Sequence, residues 1–494
     1  MNNLQELYLQ VTSTNQDYND NSRRWRFLLE SYMGGEEYRQ GAHLNRYQLE
    51  TDREYNARLM TTPLDNHCRS VINVYNSFLF REEPDRDYGS IEYDPALKDY
   101  LEDADLEGRD LDSVMKEVST WASVFGHCFV IMSKPNIGAL TRADELAEGV
   151  RPYISLITPL TVYDWTYQRA ANGRYSLTYF KYVEDVNDQI STIIEWHTDR
   201  IVKTTTDRKA KKVLSQEEAV NELGQIPVVI AYNSRSPVRG LGISDIGDIA
   251  DQQKAIYNEL SEIEQSIRLD SHPSLVTVEG TKIGSGAGAI IYMDASIDPG
   301  LKPYTLANSG ADISSIYTSI QNRINSIDKM ANTGGVRATE SRNMSGVAME
   351  TEFQLLNARL AEKADNLELA EEQLWQLWAL YQGYTWDGEV EYPGSFNIRD
   401  TASEIEQLVK AKSAATDPRV LALIDHELVE FLGEDSTLVL GTSEYLPAEQ
   451  LPATEPFEPH TMCDPVTGIE YIARTEEEHL AYMALGYVHK EESY

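Results

Sequence analysis

SDIGDIADQQKAIYNELSEIEQSIRL (Ser244–Leu269) is the stretch that decides the fold. Ser244 is a good helix N-cap ahead of an acidic first turn. Ile246, Ile249, Gln253, Ile256, Leu260, Ile263 and Ile267 then alternate by three and four. That is a heptad seam with one polar member. The helix should end at Asp270, just before His272-Pro273. A second helix is expected from Asp312 to about Ala331, with Ile313, Ile316, Ile320, Ile324 and Ile327 on one face. Between the two lies a compact strand-rich insert, from Pro273 to about Leu306, containing SLVTV, a glycine-rich turn (GSGAG) and AIIYM. Two helices joined by so short an insert should run antiparallel, with the insert at one end.

Downstream, NTGGVRATESRNMSG (332–346) is too polar and glycine-rich to be packed core. Val347–Gln382 holds neither Gly nor Pro, so it can form a helix of roughly 50 Å at 1.5 Å per residue. Its apolar positions include Met349, Phe353, Leu356, Leu360, Leu367, Leu374 and Tyr381. EVEYPGSFNI reads as extended, and Thr401–Lys412 with Pro418–Leu432 as a helical hairpin. Gly441–His460 is a Pro- and Glu-rich linker, and the tail beyond it has the pattern of a small hairpin plus helix.

Upstream, residues 1–130 read as helices separated by turns. One spans about Asp20–Met33 and stops at Gly34-Gly35. Another covers Asp65–Phe80 and carries Val71, Ile72, Tyr75 and Phe78. A third runs from about Asp110 to near Gly126. From His127 to about Val202 the pattern changes to strands: HCFVIM, YISLI, YSLTYFKYV and TIIEWH, with Asn172-Gly173 as a hairpin turn. IPVVIAY (Ile226–Tyr232) adds one more.

The chain has 494 residues, 41% hydrophobic and 25% charged, enough for a substantial core and about three domains. Its 43 Lys and Arg face 80 Asp and Glu, a formal charge of -37. A simple nucleic-acid clamp should be basic, because phosphate neutralisation drives non-specific binding. If this chain meets DNA, most of its surface must repel it or let it slide. Cys68, Cys128 and Cys463 give no disulfide framework and no zinc spacing, which fits a reducing compartment. MNNLQELYLQ lacks the pattern of a signal peptide, and no run approaches the ~20 apolar residues of a membrane helix. A soluble intracellular protein with no membrane partner is expected.

The order of these pieces resembles the tailed-bacteriophage portal family, from about Trp25 to Leu432. PLDNHCRSVINVYNSFLFREEP, the Gly126-His127 step into a strand, ISLITPLTVYDWTY with its hairpin, and GQIPVVIAYNSRSPVRGLGISDI carry the likeness. The last block is the most specific, and the order and spacing of all four are stronger than any one. The resemblance implies an α+β, mainly helical portal fold with wing, stem, clip and crown regions, assembling as a dodecameric ring around an axial channel. Carried onto this sequence, the wing is 1–243, the first stem helix 244–270, the clip 271–308 and the second stem helix 309–332. The tunnel loop is 333–346, the long wing-to-crown helix with its return strand 347–400, the crown hairpin 401–440, and 441–494 a C-terminal extension that matches nothing in the family. The implied partners are about eleven further copies of the chain, double-stranded DNA in the channel, the large terminase subunit, head–tail adaptor and tail proteins, and the major capsid and scaffolding proteins. The implied location is the unique vertex of the virion, reached from the host cytoplasm during assembly. No cofactor is implied.

Site residues follow from both readings. Thr333, Gly334, Gly335, Arg337, Arg342 and Asn343 in the tunnel loop would touch phosphates transiently, the glycines giving a flexible valve; an ordinary solvated connection is the plain alternative. Asp245, Asp248, Glu259 and Glu262, with Asp251 and Glu264 against Lys254 and Arg268, would repeat around a ring as a band of negative charge. Such walls suit a conduit, since each phosphate contact adds affinity and slows sliding. Lys282, Ser285 and Gly286 would sit at the clip tip and contact the packaging motor or adaptor. GTKIGSGAGAII leads into a strand pattern, not a helix, so it is a hairpin tip and not a dinucleotide fingerprint.

Other motifs take bland readings. KTTTDRKAKK (Lys203–Lys212) is a solvated basic loop, with DNA or shell contact as the sharper alternative. His127 and Cys128 are core, Trp375 and Trp378 packing residues, and the stem isoleucines core that a ring interface could share. His426-Glu427 lacks the second histidine of the zinc-protease pattern. No Gly-Lys-Ser or Gly-Lys-Thr occurs, so the chain is no P-loop packaging ATPase. With no catalytic constellation, a non-enzyme is expected. Another neck or connector protein is the first alternative, and a nucleic-acid-processing enzyme the second.

Overall fold

Helices dominate the first 125 residues because apolar residues recur at helical spacing between well-made caps. α1 (Asn3–Val11) and α2 (Gln16–Met33) come first, and Asn15 caps α2 by accepting the Tyr18 N–H. Gly34, at φ +65°, ends it. α3 (Gly35–Gln40), α4 (Asp52–Thr61) and α5 (His67–Leu79) follow, α4 opening with a Thr51–Glu54 capping box. α6 (Pro95–Glu102) and α7 (Leu111–Phe125) are capped by Asp94 and Asp110. The computed structural model describes residues 3–135, 141–271, 274–276, 298, 304–306, 311–337, 346–396, 408–413, 419–421, 423–424, 460–463, 470–473 and 488–489. They fall in two units, Met1–Ile398 and Arg399–Tyr494.

The core of the first unit joins α5, α7, a small sheet and the long helices. Val71, Ile72, Tyr75 and Leu79 on α5 meet Val114, Met115, Val118 and Phe125 on α7, all buried. Burying one such side chain stabilises by roughly 1.5–3 kcal/mol. The small sheet has order β3-β2-β9, antiparallel, from β2 (His127–Ser133), β3 (Tyr153–Ile157) and β9 (Val228–Tyr232). Central β2 is buried on both faces, which is why its sequence runs apolar without alternation.

A five-stranded antiparallel meander lies between β3 and β9 in sequence: β4 (Val162–Arg169), β5 (Tyr175–Asp185), β6 (Ile190–His197), β7 (Arg200–Asp207) and β8 (Lys212–Val220). Asn172-Gly173 turns β4 into β5, Gly173 at φ +84°. Lys203–Lys212 is mostly not a loop. Lys203–Asp207 lies in β7 and Lys212 opens β8, leaving a tight turn with Lys211 at φ +49°. The short α8 (Arg142–Ala147) precedes β3. β1 (Asp85–Asp87) pairs antiparallel with β12 (Glu389–Glu391), a contact between distant segments that periodicity does not reveal.

α9 (Gly247–Ser271) begins three residues later than the expected cap. The Ser244 hydroxyl is used otherwise: it donates to the carbonyls of Ser123 and Val124 and accepts the Ile246 N–H. The isoleucine seam is core from Ile246 to Ile263, and emerges at Ile267, 42% exposed. Its polar member is satisfied rather than stray. Buried Gln253 accepts the Cys68 N–H at 2.9 Å and donates to the Ser31 carbonyl at 2.9 Å.

α10 (Ala311–Ala331) returns antiparallel to α9. β10 (Ser274–Val276) and β11 (Tyr304–Leu306), next to the two helices, pair in antiparallel register. Arg323 of α10 reaches Gln252 at 3.0 Å and Glu259 at 2.9 Å, and Ser319 reaches Glu259 at 2.9 Å. The GSGAG turn and AIIYM lie outside the described residues, as do Lys282, Ser285 and Gly286.

After the short α11 (Gly334–Arg337), α12 (Gly346–Gln382) spans 37 residues, about 55 Å. Leu356, Leu360, Leu367 and Leu374 are buried along it, and Trp375 and Trp378 are buried packing residues. Trp375 stacks on Trp386 with centroids 5.7 Å apart. In the second unit, 408–413 and 419–421 are helical, inside the expected hairpin. β13 (His460–Cys463), β14 (Glu470–Ala473) and β15 (Val488–His489) form a sheet in the order β14-β13-β15, where a hairpin was expected. The expected tail helix and the 441–459 linker lie outside the described residues, as does His426-Glu427.

Candidate functional site

The hairpin α9–α10 is rooted by a buried charge cluster. Asp245, two residues before α9, has its side chain 2% exposed. Lys363 Nζ lies 2.7 Å and Arg359 Nη2 2.8 Å from its carboxylate, both from α12. Asn233, just after β9, donates to Asp245 at 2.9 Å, and Lys363 also donates to Ser123 Oγ at 2.7 Å and to Asn233 Oδ1. Burial pushes the Asp245 carboxyl up, but Lys363 and Arg359 outweigh it and hold it at about 2. Burial, opposed by Asp245, pushes the Lys363 ammonium down. A cleft of about 410 Å³ opens beside the cluster, lined by Ser244, Asn332, Arg359 and Glu362 among others.

Asp245 therefore cannot line a channel: its charge is consumed inside the chain. The other three carboxylates differ among themselves. Asp248 is exposed. Glu262 is exposed and accepts the Tyr47 hydroxyl at 2.7 Å. Glu259 is half-buried and ion-paired with Arg323 across the hairpin. On α10 the exposed face is mostly uncharged, with Ser314, Tyr317, Thr318, Gln321 and Asn322, a feature that counting acids on α9 alone overlooks.

The start of the expected tunnel loop is folded. Thr333 is buried and its N–H donates to the Asp328 carbonyl at 3.0 Å. Gly334 and Gly335 open α11, and a Cβ on Gly334 would come 2.8 Å from Glu352 Oε2. Arg337 turns inward. Its guanidinium bonds Asp328 at 2.7 Å, His67 Nδ1 at 2.9 Å and Ser70 Oγ at 3.1 Å. Burial, with Arg337 alongside, pushes the His67 imidazole below its usual range, so the neutral ring accepts the guanidinium N–H. Thr333 and Arg337 are thus anchoring residues. Arg342 and Asn343 lie outside the described residues.

A third buried charge cluster holds α12 to the β1–β12 pair. Fully buried Glu371 takes Arg86 Nε at 2.6 Å, the Tyr392 hydroxyl at 2.6 Å and Trp375 Nε1 at 3.1 Å. Arg86 also reaches Asp112 of α7 at 2.7 Å. Sequence reading missed Asp328, Arg359, Lys363 and Glu371. The i,i+4 spacing of Arg359 and Lys363 beside Leu356 and Leu360 is the one signal that could have found them.

His127 and Cys128 are core, as read. His127 is fully buried, its Nδ1 accepts the Gly242 N–H at 3.3 Å, and burial lowers its pKa to about 3. Among the described residues no group of three or more His, Cys, Asp or Glu side chains could hold a metal ion, and no helix is long and apolar enough to cross a membrane.

The sequence that folds into this antiparallel helix pair, short sheet and long helix matches a family model. The model for the phage portal protein, SPP1 Gp6-like, matches residues 17–407. The chain belongs to that family. The match spans α2 through α12, so the portal fold covers nearly all of the first unit. Portal-family proteins are structural components of phage particles, and the chain is a structural protein of that kind. No curated protein matches the sequence. Among solved structures, the chain is similar to one from the virion of a native gene transfer agent particle. Identity is 10%, 81% of this chain and 98% of that one are covered, and the TM-score is 0.42. It is also similar to a chain from the neck of the empty particle, computed with C6 symmetry, at 11% identity, 80% and 99% coverage and TM-score 0.43. A chain from the neck of the native particle, computed with C12 symmetry, gives 10%, 80%, 98% and 0.41.

Proposed function

We propose that about twelve copies of this chain form a ring whose axial channel passes double-stranded DNA during packaging, retention and ejection. Membership of the portal family across residues 17–407 carries this reading. The hairpin α9–α10 is the stem, the segment between them the clip, and 1–243 with α12 the wing. The 401–440 segment is the crown. Lys282, Ser285 and Gly286 at the clip tip contact the terminase large subunit and later the head–tail adaptor and tail proteins. The ring sits at one vertex of the virion, against the major capsid protein and its scaffold, after assembly in the host cytoplasm.

The physical support is the division of labour on the stem. Its apolar seam is buried within the chain, and Asp248 and Glu262 stay exposed beside the uncharged face of α10. A wall of carboxylates and neutral polar groups offers few cations to phosphates, so a polyanion passes without the counterion-release affinity that would hold it. Arg342 and Asn343 supply the few contacts that retain DNA. Mass photometry of the purified chain tests the reading: the expected particle has about twelve chain masses. Monomer alone, at every protein and salt concentration, contradicts it.

A further inference from the structure

The block that leads into α9 contains a turn that neither the stem nor the core explains. After β9 the chain folds back on itself. Arg235 bridges antiparallel to Gly242, the Ser236 N–H donates to the Leu241 carbonyl at 3.2 Å, and the Val238 N–H donates to Ser236 Oγ at 3.1 Å. Gly240 sits at φ +85°, and a Cβ there would fall 2.3 Å from Trp165 Nε1. The turn is clamped on β4 by a glycine.

So clamped, it lays arginines on tyrosines. The Arg239 guanidinium lies 3.8 Å from the Tyr175 ring centre and 5.9 Å from that of Tyr167. Arg169 approaches Tyr175 from the hairpin itself, at 5.8 Å, its Nε donating to the Gly173 carbonyl. The Tyr167 and Tyr232 hydroxyls face one another, and Arg235 lies 5.2 Å from the Tyr232 ring. The result is a continuous ladder with three exposed guanidiniums. A guanidinium stacked on a ring keeps its N–H edge available for a bidentate oxyanion, and Arg169 keeps its two Nη groups for one while its Nε holds the Gly173 carbonyl. Among the described residues no carboxylate pairs with Arg169, Arg235 or Arg239, whereas Arg24, Arg58, Arg86 and Arg337 are each paired. The three lie together on one turn and its neighbouring hairpin, in a chain with 80 acidic residues against 43 basic ones.

We infer that this ladder is one half of a head-to-tail interface, its arginines forking onto carboxylates of a second copy of the chain. The inference rests on the ring reading above. A heterologous contact needs a complement elsewhere on the same molecule, and a net charge of -37 supplies acidic surface in excess. Nucleic acid is the poorer occupant. The net charge of -37 repels a polyanion at long range, while exposed Val238 on the same turn adds an apolar contact suited to protein.

The test uses the full chain as wild type, R169E/R239E and R169K/R239K. Mass photometry gives assembly, and thermal melting checks that each variant is folded. Wild type should form rings. R169E/R239E should need at least tenfold higher concentration to do so, with R169K/R239K between them because charge remains but the stacked fork is lost. Carbodiimide treatment of R169K/R239K should then join position 169 or 239 to an Asp or Glu of another copy. Rings of R169E/R239E at the wild-type concentration overturn the inference and leave the ring reading standing. So does intact assembly with lost binding to a duplex DNA probe, which assigns the ladder to nucleic acid. Absence of rings from wild type instead sinks the ring reading itself.

Discussion

The Lys363 ammonium lies 2.7 Å from the Asp245 carboxylate with both side chains almost fully buried, which fastens the root of α9 to the middle of α12. Removing one partner leaves an uncompensated buried charge. K363M should therefore destabilise the chain by about 3–5 kcal/mol, and D245N/K363M should recover part of that loss. Urea unfolding of K363M, D245N and the double variant checks it; a double-variant loss equal to the sum of the two single losses would show the pair to be uncoupled.

The same pair predicts an acid limb. Asp245 is held at about 2 in the folded chain, below the usual ~3.9 of an unfolded Asp. Its contribution is full above the unfolded value and fades as pH falls from about 4 toward 2. D245N should flatten stability over that window relative to wild type, measured by melting temperature against pH. An unchanged acid limb would mean other carboxylates govern it.

Arg337 and Arg342 should separate cleanly. Arg337 is 11% exposed and paired with Asp328, 6% exposed, so R337A should cost roughly 3 kcal/mol of stability. R342A should leave melting unchanged and reduce the amount of DNA retained in filled particles. A silent R337A would contradict the anchoring role.

Charge on the stem should tune the hold on DNA. D248K adds a cation at an exposed position in every copy. Assembled D248K/E262K should bind duplex DNA more tightly than wild type, with a steeper fall of affinity with salt. Binding curves at several salt concentrations report it; no change would place these residues away from the DNA path.

Much of this was legible beforehand, for physical reasons. The seam from Ile246 to Ile263 announced a helix because burial on one face imposes a period of three and four. Asp110 and Gly126 marked the ends of α7 because caps have few chemical solutions. What periodicity could not show was pairing in space. Asp245 looked like one more acid on an acidic helix, and only its meeting with Arg359 and Lys363, more than a hundred residues on, reveals an anchor. Arg337 sat in a glycine-rich polar run that reads as solvent-exposed, yet Asp328, His67 and Ser70 converge on it. β12 falls in EVEYPGSFNI, which reads as extended, but β1 and the pairing escaped notice because a three-residue strand carries too little pattern.

Electron-microscope images of the purified chain viewed end-on test the ring most directly. Class averages should show about twelve equal lobes around an open central hole. A solid particle with no perforation, or a lone chain with α9 and α10 enclosed on every side, would contradict it.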